Sequence, residues 1–321
     1  MGVTYGLAVE NFTSADKRPD LAELIAYAQR GEQLGFRSLW AWDHLFLGSK
    51  QPFPCFEALT TLTTLAAHTR EMTLGTGVLV LPIRDPALLA KQAATLNEVS
   101  GGRLALGVAA GWYEREFAAT GTPYAGRGKR FERNLEICYR LWGDEEVTGE
   151  WDDLRFRRVR MLPKPTPRPR VLIGGYVDRV LRRVATRSDG WLTYFYPADA
   201  FTRSWTKIRD FAAEAGRDPD GLTNVAQLPI CVDSSFESAD RKIGPFLAEY
   251  FDTPEWSDAT PESAIRGTPE QCAEQLAAHI EAGAQHIALV PYRYRLDQME
   301  SVAADVLPLL ENAQAPVEAM P

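Results

Sequence analysis

The 321-residue sequence has few cysteines, few histidines and no excess of basic residues. The four histidines match no metal-ligand spacing. The formal net charge of -8 disfavours nucleic acid and anionic membranes as partners, because both need a cationic surface. We therefore expect a small-molecule substrate and no metal ion. The cysteines are far apart and form no CxxC pair, which predicts neither a zinc site nor a disulfide framework; they are Cys55, Cys138, Cys231 and Cys272.

The sequence also lacks long apolar runs and targeting signals. No stretch approaches the roughly 18 uninterrupted apolar residues of a membrane-spanning helix, and no basic segment followed by an apolar run opens the chain. These absences predict a cytoplasmic protein without membrane contact. The GxGxxG, Walker lysine, HExxH and GxSxG motifs are absent too, which argues against the commonest nucleotide-binding, metalloprotease and hydrolase patterns.

Short β-branched runs alternate with longer helical stripes along most of the chain. Eight strand-helix units of this kind predict an α/β fold, a (β/α)8 TIM barrel with insertions, although a doubly wound sheet gives the same alternation. We predict one domain over residues 1–312, a surface hairpin over 147–161 and a disordered tail over 313–321. The eight predicted strands are residues 3–9, 38–42, 72–81, 103–108, 170–173, 190–194, 224–232 and 286–290.

The pair Asp43-His44 follows the second predicted strand, where a barrel directs side chains into its active site. A histidine there can exchange protons near neutral pH, and the adjacent carboxylate can fix its tautomer or bind a ligand donor. The alternative is structural: both residues would then cap a loop and the following turn. Position alone does not separate these two interpretations.

The segment Gly174-Gly175-Tyr176-Val177 joins the fifth predicted strand to a helix. Exposed backbone amides at a helix amino terminus bind phosphate, and several arginines follow closely. The alternative is a tight turn between strand and helix, with arginines on a solvated face. The arginines concerned are Arg179, Arg182 and Arg183.

Aromatic residues are concentrated in the loops that we expect beside His44. Phe53, Trp112 and Tyr113 would form the wall of a hydrophobic substrate pocket and exclude water from it. The alternative is ordinary core filling under long loops. Trp112 is the preferred pocket residue because it follows a glycine at a strand end.

Taken together, these segments resemble the luciferase-like family of flavin- and deazaflavin-dependent oxidoreductases, and especially its F420-dependent branch, which has a TIM-barrel fold. The resemblance spans about residues 3–310. Its matching stretches are 39–45 (LWAWDHL), 74–86 (LGTGVLVLPIRDP), 89–96 (LAKQAATL), 100–104 (SGGRL), 111–112 (GW), 116–117 (EF), 126–130 (GRGKR) and 163–165 (PKP) ahead of 173–175 (IGG).

The resemblance implies roles for particular residues. It implies a non-proline cis peptide between Gly77 and Val78 behind the cofactor ring, and it makes His44 the acid or base. It also implies contact between Asp43 and the ring system. The other cofactor-binding residues that it implies are Thr76, Ala109, Ala110, Gly111, Gly174, Gly175 and Tyr176, the double glycine being assigned to the cofactor phosphate.

One departure from the family pattern concerns the substrate. Sugar-phosphate dehydrogenases of the family place a glutamate after the glycine that ends the fourth strand, whereas this chain has Trp112. We therefore expect a flatter or more apolar substrate, with Glu116 anchoring a loop.

Three functions follow from the resemblance. The leading hypothesis is a reductase that uses reduced F420 to transfer hydride to an unsaturated carbon or carbonyl group. The alternative is a two-component monooxygenase that receives reduced FMN from a separate flavin reductase and inserts oxygen from O2. A third is a flavin-binding protein without catalysis. A homodimer is among the oligomeric states that the sequence leaves open.

Overall fold

A computed structural model describes residues 2–13, 17–46, 53–151, 154–251 and 262–314. Within these ranges, eight parallel strands pair in a closed ring, because the last strand of the series also pairs with the first. Helices follow the strands in sequence, so the predicted (β/α)8 barrel is confirmed. In order around the ring, the strands are Thr223–Val232, His286–Pro291, Thr4–Ala8, Ser38–Ala41, Thr73–Thr76, Leu104–Ala109, Arg170–Gly174 and Gly190–Tyr194, and the last of these pairs with the first.

The strands are short and mostly buried. Ten of them belong to the barrel sheet, in which β4 pairs with β5 and β11 extends β10 at its side; β6 and β7 form the antiparallel hairpin predicted over 147–161. The bounds are β1 Thr4–Ala8, β2 Ser38–Ala41, β3 Thr73–Thr76, β4 Leu79–Val80, β5 Leu104–Ala109, β6 Val147–Trp151, β7 Leu154–Val159, β8 Arg170–Gly174, β9 Gly190–Tyr194, β10 Thr223–Val232, β11 Ile265–Gly267 and β12 His286–Pro291.

The helices pack outside the ring, and several begin at residues whose side chains cap them. Asp85 accepts a hydrogen bond from Leu88 N ahead of Pro86, and Thr268 forms a capping box with Gln271. The bounds are α1 Leu21–Gln33, α2 Ala58–Ala66, α3 Pro86–Val99, α4 Glu114–Ala119, α5 Arg127–Gly143, α6 Asp178–Arg187, α7 Ala198–Glu214, α8 Phe236–Phe251, α9 Pro269–Glu281, α10 Leu296–Ser301 and α11 Leu307–Gln314.

Three elements differ from the prediction, and so does part of the tail. The single strand expected over 72–81 is broken into β3 and β4, because the chain turns at Gly77 and Val78. The short helix α4 and the three-residue strand β11 were missed, since neither is long enough to show a period. Of the tail predicted over 313–321, residues 313 and 314 lie in α11, whereas 315–321 lie outside the described residues.

The interior of the barrel is filled by side chains below its carboxyl end. Six buried residues from six strands pack together there: Trp40, Ala105, Leu172, Leu192, Val225 and Ala288. Val78 packs on this cluster from above. Above this layer, the strand ends leave room for a site. Of the helices that the structure describes, none has the length and apolar character needed to cross a membrane.

Candidate active site

A cavity of about 430 Å³ opens at the carboxyl end of the barrel. Its wall is formed by the segments that directly follow β2, β3, β5, β8 and β9. This volume falls within the range of roughly 300 to 1,000 Å³ that is typical of small-molecule sites. The cavity has three parts: a central wall of bare backbone, a cationic end, and an aromatic end beside His44.

The central wall consists largely of glycine backbone. Gly111 has φ +76° and Gly175 has φ +132°, conformations that side chains rarely adopt. A Cβ on Gly174 would lie 3.1 Å from Cγ1 of Val78. The peptide between Gly77 and Val78 is cis, as the resemblance implied. A flat ring can therefore lie against this wall without meeting side chains, which is what a flavin or deazaflavin requires.

The cationic end lies where α5 and α6 begin. Neither helix has a side-chain cap, since Gly126 precedes α5 and Val177 precedes α6. Among the described residues, the backbone amides of Gly128, Asp178 and Arg179 donate to no backbone carbonyl, so these three amides are available to an anion. Four cationic side chains line this end of the cavity, and they are Arg127, Lys129, Arg179 and Arg183.

Two of these arginines are held in place by other residues. Arg183 donates to Glu132 Oε1 at 2.5 Å. Arg127 donates to the carbonyl oxygen of Gly111 at 3.0 Å, and its guanidinium lies 4.0 Å from the centre of the Tyr124 ring. The fixed arginines, the unpaired helix amides and Gly174-Gly175 together form a site suited to a phosphate group.

His44 is held by a buried carboxylate. Its Nδ1 lies 3.1 Å from Glu116 Oε2, while Oε1 of the same carboxylate accepts from the backbone amides of Leu45 at 2.5 Å and Phe46 at 3.1 Å. Because a carboxylate accepts hydrogen bonds, this contact keeps the proton on Nδ1 and leaves Nε2 to act on a ligand. Glu116 anchors the loop, as predicted, and it also orients the histidine.

Asp43 is part of a buried ion-pair network. Its Oδ1 accepts from Arg84 Nη2 at 2.5 Å and its Oδ2 accepts from the backbone amide of Val80 at 3.0 Å. Arg84 also donates to Glu57 at 3.0 Å. Burial raises the pKa of Asp43, although the Arg84 guanidinium opposes that rise. Asp43 therefore ties the end of β2 to the end of β4 and fixes one side of the cavity.

Aromatic rings flank His44 at the third part of the cavity. The ring centre of Trp112 lies 5.7 Å from that of His44 and 5.2 Å from that of Tyr113. Trp112 lines the cavity, and Tyr113 supports it from outside. This end is more apolar than the cationic end, which suits a substrate that lies beside His44.

The structure brings most of the predicted site residues to one cavity. The residues that line it are Asp43, His44, Gly77, Val78, Ala109, Ala110, Gly111, Trp112, Gly174 and Gly175.

Four of the predicted residues lie outside its lining. The hydroxyl of Thr76 donates to the carbonyl oxygen of Gly107, and that of Tyr176 donates to the carbonyl oxygen of Tyr194. Phe53 packs beside Phe12, with ring centres 6.5 Å apart. The fourth is Tyr113.

Sequence reasoning missed several residues of this site. Arg84 and the role of Glu116 toward His44 depend on contacts between distant parts of the chain. Arg127 and Lys129 could have been found from the sequence, because they lie in the stretch 126–130 that matches the family pattern, although no role is assigned to that stretch. Across the described part of the chain, no group of three or more His, Cys, Asp or Glu residues is placed to hold a metal ion.

Comparisons with known proteins agree with the fold. The sequence model of a family described as luciferase-like monooxygenase matches residues 2–286. The uncharacterized protein Rv0940c of Mycobacterium tuberculosis is 33% identical over 224 residues, covering 64% of this chain and 77% of that protein. The FMNH2-dependent dimethylsulfone monooxygenase of Pseudomonas fluorescens is 25% identical over 323 residues, covering 90% of this chain and 86% of that enzyme.

Solved structures share the fold over nearly the whole chain. The monooxygenase RslO1 from Streptomyces bottropensis aligns with a TM-score of 0.80 at 23% identity, covering 95% of this chain and 99% of that one. An F420-dependent secondary alcohol dehydrogenase, solved with an F420-acetone adduct, aligns with a TM-score of 0.79 at 18% identity, covering 97% and 99%. The resemblance to the luciferase-like family is confirmed by the family model, and these solved structures share the fold.

Proposed function

This chain belongs to the luciferase-like monooxygenase family of flavin- and deazaflavin-dependent oxidoreductases, and from that premise we propose that it is an F420-dependent reductase. Bound reduced F420 supplies a hydride to an unsaturated carbon or carbonyl group of a small, rather apolar organic molecule. The observation that carries this choice of cofactor is the number of cations at the phosphate end of the cavity.

The cationic end offers more positive charge than a single phosphate needs. Arg127, Lys129, Arg179 and Arg183 line it, and only Arg183 makes an ion pair there, with Glu132, among the described contacts of these four. FMN ends in one phosphate, whereas F420 continues beyond its phosphodiester into a chain of carboxylates. The additional cations suit the longer anionic tail of F420.

The residues beside the ring site have separate roles in proton transfer, in excluding water and in holding the cofactor. A proton given from Nε2 of His44 would complete the reduction, and the neutral imidazole that remains keeps its other proton on Nδ1, where Glu116 accepts the hydrogen bond. Trp112 covers the substrate and excludes water. Gly77, Gly111 and Gly174 give the ring a flat wall, and the amides of Gly174 and Gly175 hold the phosphate.

A second candidate function is an FMNH2-dependent monooxygenase supplied by a separate flavin reductase. It is favoured by the similarity to the dimethylsulfone monooxygenase, which extends over 90% of this chain. The same cavity would serve, because a flat ring, a phosphate and an apolar substrate are common to both functions.

Separate anaerobic titrations of the purified protein with reduced F420 and reduced FMN test the choice. We expect F420 to bind at least about tenfold more tightly, a difference of about 1.4 kcal/mol. Arg179→Gln should weaken F420 binding more than FMN binding. Arg182→Gln is the matched control, since this arginine lies on the same helix but pairs with Glu214 at 3.2 Å on the surface. Tighter binding of FMN would overturn the F420 assignment and favour the monooxygenase.

A further inference from the structure

The mouth of the barrel has two unlike halves. The segments that follow β3, β5 and β8 supply the bare backbone of the central wall. The ends of β2 and β9 instead supply two aromatic side chains to the lining of the same cavity, Trp42 and Tyr194. Neither has a role in the site described so far.

The indole of Trp42 bridges several strand ends in this aromatic half. Trp42 directly follows β2, and its ring centre lies 5.9 Å from that of Phe12, which follows β1. On another side, its ring centre lies 6.2 Å from that of Phe195, which follows β9. Neither Phe12 nor Phe195 lines the cavity, so Trp42 presents the surface of this aromatic group to a ligand.

The polar groups of Trp42 are all paired within the protein. Its Nε1 donates to the hydroxyl of Tyr294 at 3.0 Å. Its backbone amide donates to Asn11 Oδ1 at 2.9 Å, and its carbonyl oxygen accepts from Asn11 Nδ2 at 2.8 Å. Because its N–H is already paired, the indole offers a ligand apolar surface in one fixed orientation.

Tyr294 supports the indole from outside the cavity. It does not line the cavity, and its ring packs 6.1 Å from that of Tyr250 and 6.2 Å from that of Phe246, measured between centres. Its backbone has φ +50°, a conformation that a bulky residue adopts only where the surrounding structure holds it. Tyr294 therefore reaches the site through Trp42 and holds the indole N–H in place.

We propose that Trp42 is the specificity-determining wall of the substrate site and that Tyr294 is the positioning residue that fixes its indole, an inference that rests on the proposed function. A ring that lies on the bare backbone has its other face toward the aromatic half of the cavity. The substrate then lies between the ring and the indole. Because one cavity of about 430 Å³ holds both the ring and the substrate, it suits a small, flat molecule and excludes a branched one.

The test compares the binding of two unsaturated ketones, cyclohex-2-enone and carvone, which carries methyl and isopropenyl branches on the same ring. Each is titrated by calorimetry into protein loaded with oxidised F420 or oxidised FMN, whichever binds, so that no turnover occurs. The readouts are the ratio of the two Kd values and the melting temperature.

The variants separate the wall from its support. Trp42→Leu removes most of the wall, and Tyr294→Phe removes only the hydroxyl that accepts from the indole. Trp42→Phe is a second variant in case Trp42→Leu does not fold. Trp40→Phe is the matched control, because Trp40 is 2% exposed in the interior layer below and does not line the cavity.

We expect the wild type to bind cyclohex-2-enone at least about tenfold more tightly than carvone, and Trp42→Leu to bring this ratio to about one. Trp42→Phe and Tyr294→Phe should each lower the ratio about threefold, the latter because the indole N–H loses its acceptor. Tyr294→Phe should have no further effect on the ratio in the Trp42→Leu background. Trp40→Phe should lower the melting temperature, as the other variants do, but keep the wild-type ratio.

Three results would overturn the inference. If the variants at position 42 keep the wild-type ratio, or if neither ketone binds to them, the indole does not bound the substrate site. If the wild type binds both ketones equally, the wall does not select by shape. If Tyr294→Phe changes the ratio equally with and without the indole, the tyrosine does not act through it. A wild-type protein that binds neither F420 nor FMN would instead overturn the proposed function, so the two failures are distinguishable.

Discussion

The two ends of the barrel each hold a histidine in a polar network beside a cavity, and they differ in how their polar groups are paired. At the amino end, His286 lies 2.6 Å from Ser38 Oγ and 2.8 Å from Thr4 Oγ1, and Trp40 donates to the same serine at 2.6 Å. Burial lowers the pKa of His286 to about 4, so this imidazole is neutral at neutral pH. Its network consists of neutral groups whose hydrogen-bond donors and acceptors pair with one another.

At the carboxyl end, the polar groups are directed toward a ligand. His44 has a carboxylate on one nitrogen, and the helices α5 and α6 begin without side-chain caps. The cavity at the amino end is the larger, about 610 Å³ against about 430 Å³. The pairing of polar groups and the exposure of glycine backbone therefore distinguish the candidate active site from the cavity at the amino end better than cavity volume does.

The largest expected effect separates the two histidines. His44→Ala should lower the turnover number about 10²- to 10⁴-fold while the cofactor Kd stays near that of the wild type, because a proton-transfer group is lost without disturbing the ring site. His286→Gln should change turnover less than about threefold. Steady-state kinetics with reduced cofactor would check both. Unchanged turnover in His44→Ala would assign the proton transfer to another group or favour a binding protein without catalysis.

The next effect concerns the phosphate site. Gly175→Asp should weaken cofactor binding about 100-fold, because it places a negative charge against the phosphate. Gly175→Asn is the control, since it imposes the same backbone strain at φ +132° without the charge. Titration by fluorescence gives both constants. Equal losses in the two variants would remove the electrostatic explanation.

A smaller effect is expected at the aromatic end of the cavity. Trp112→Ala should raise the KM for the substrate about tenfold and leave the cofactor Kd within about threefold, since the indole borders the space beside His44. Measuring KM and Kd on one preparation distinguishes an effect on the substrate from an effect on cofactor binding. A larger change in Kd than in KM would move Trp112 from the substrate wall to the cofactor site.

The contact between Glu116 and His44 should give a moderate effect. Glu116→Gln should lower kcat about fivefold with little change in KM, because an amide can also donate to Nδ1 and so favours the other imidazole tautomer. Glu116→Ala should additionally weaken the fold, since the amides of Leu45 and Phe46 lose their acceptor. If Glu116→Gln retains the wild-type kcat, the carboxylate serves the loop alone.

The last effect concerns stability rather than turnover and belongs to the amino end. The unfolded chain protonates His286 below about pH 6.5, whereas the folded chain resists protonation until about pH 4. Stability from this group is therefore fully present above pH 6.5 and is lost as the pH falls toward 4, by about 2 kcal/mol at pH 5. Chemical unfolding at several pH values measures how the free energy of unfolding changes with pH. His286→Gln should reduce this change between pH 6.5 and pH 4, and an unchanged pH dependence would contradict the role given to His286.

Local signals allowed much of the fold to be predicted. The strand predicted over residues 190–194 has these bounds in the structure, and the strand predicted over 38–42 ends one residue earlier, because each is a short apolar run. The break at Gly77 and Val78 was not predicted from periodicity, because the apolar pattern continues through it. Contacts such as His44 to Glu116, 72 residues apart, depend on tertiary packing that one sequence does not show.

A crystal structure of the protein soaked or co-crystallised with F420 and, separately, with FMN tests the proposed cofactor site most directly. We expect a tricyclic ring lying against Gly77 and Val78, with its phosphate at Gly174 and Gly175. A ring bound elsewhere, or a cavity that stays closed by side chains at saturating cofactor, would contradict it.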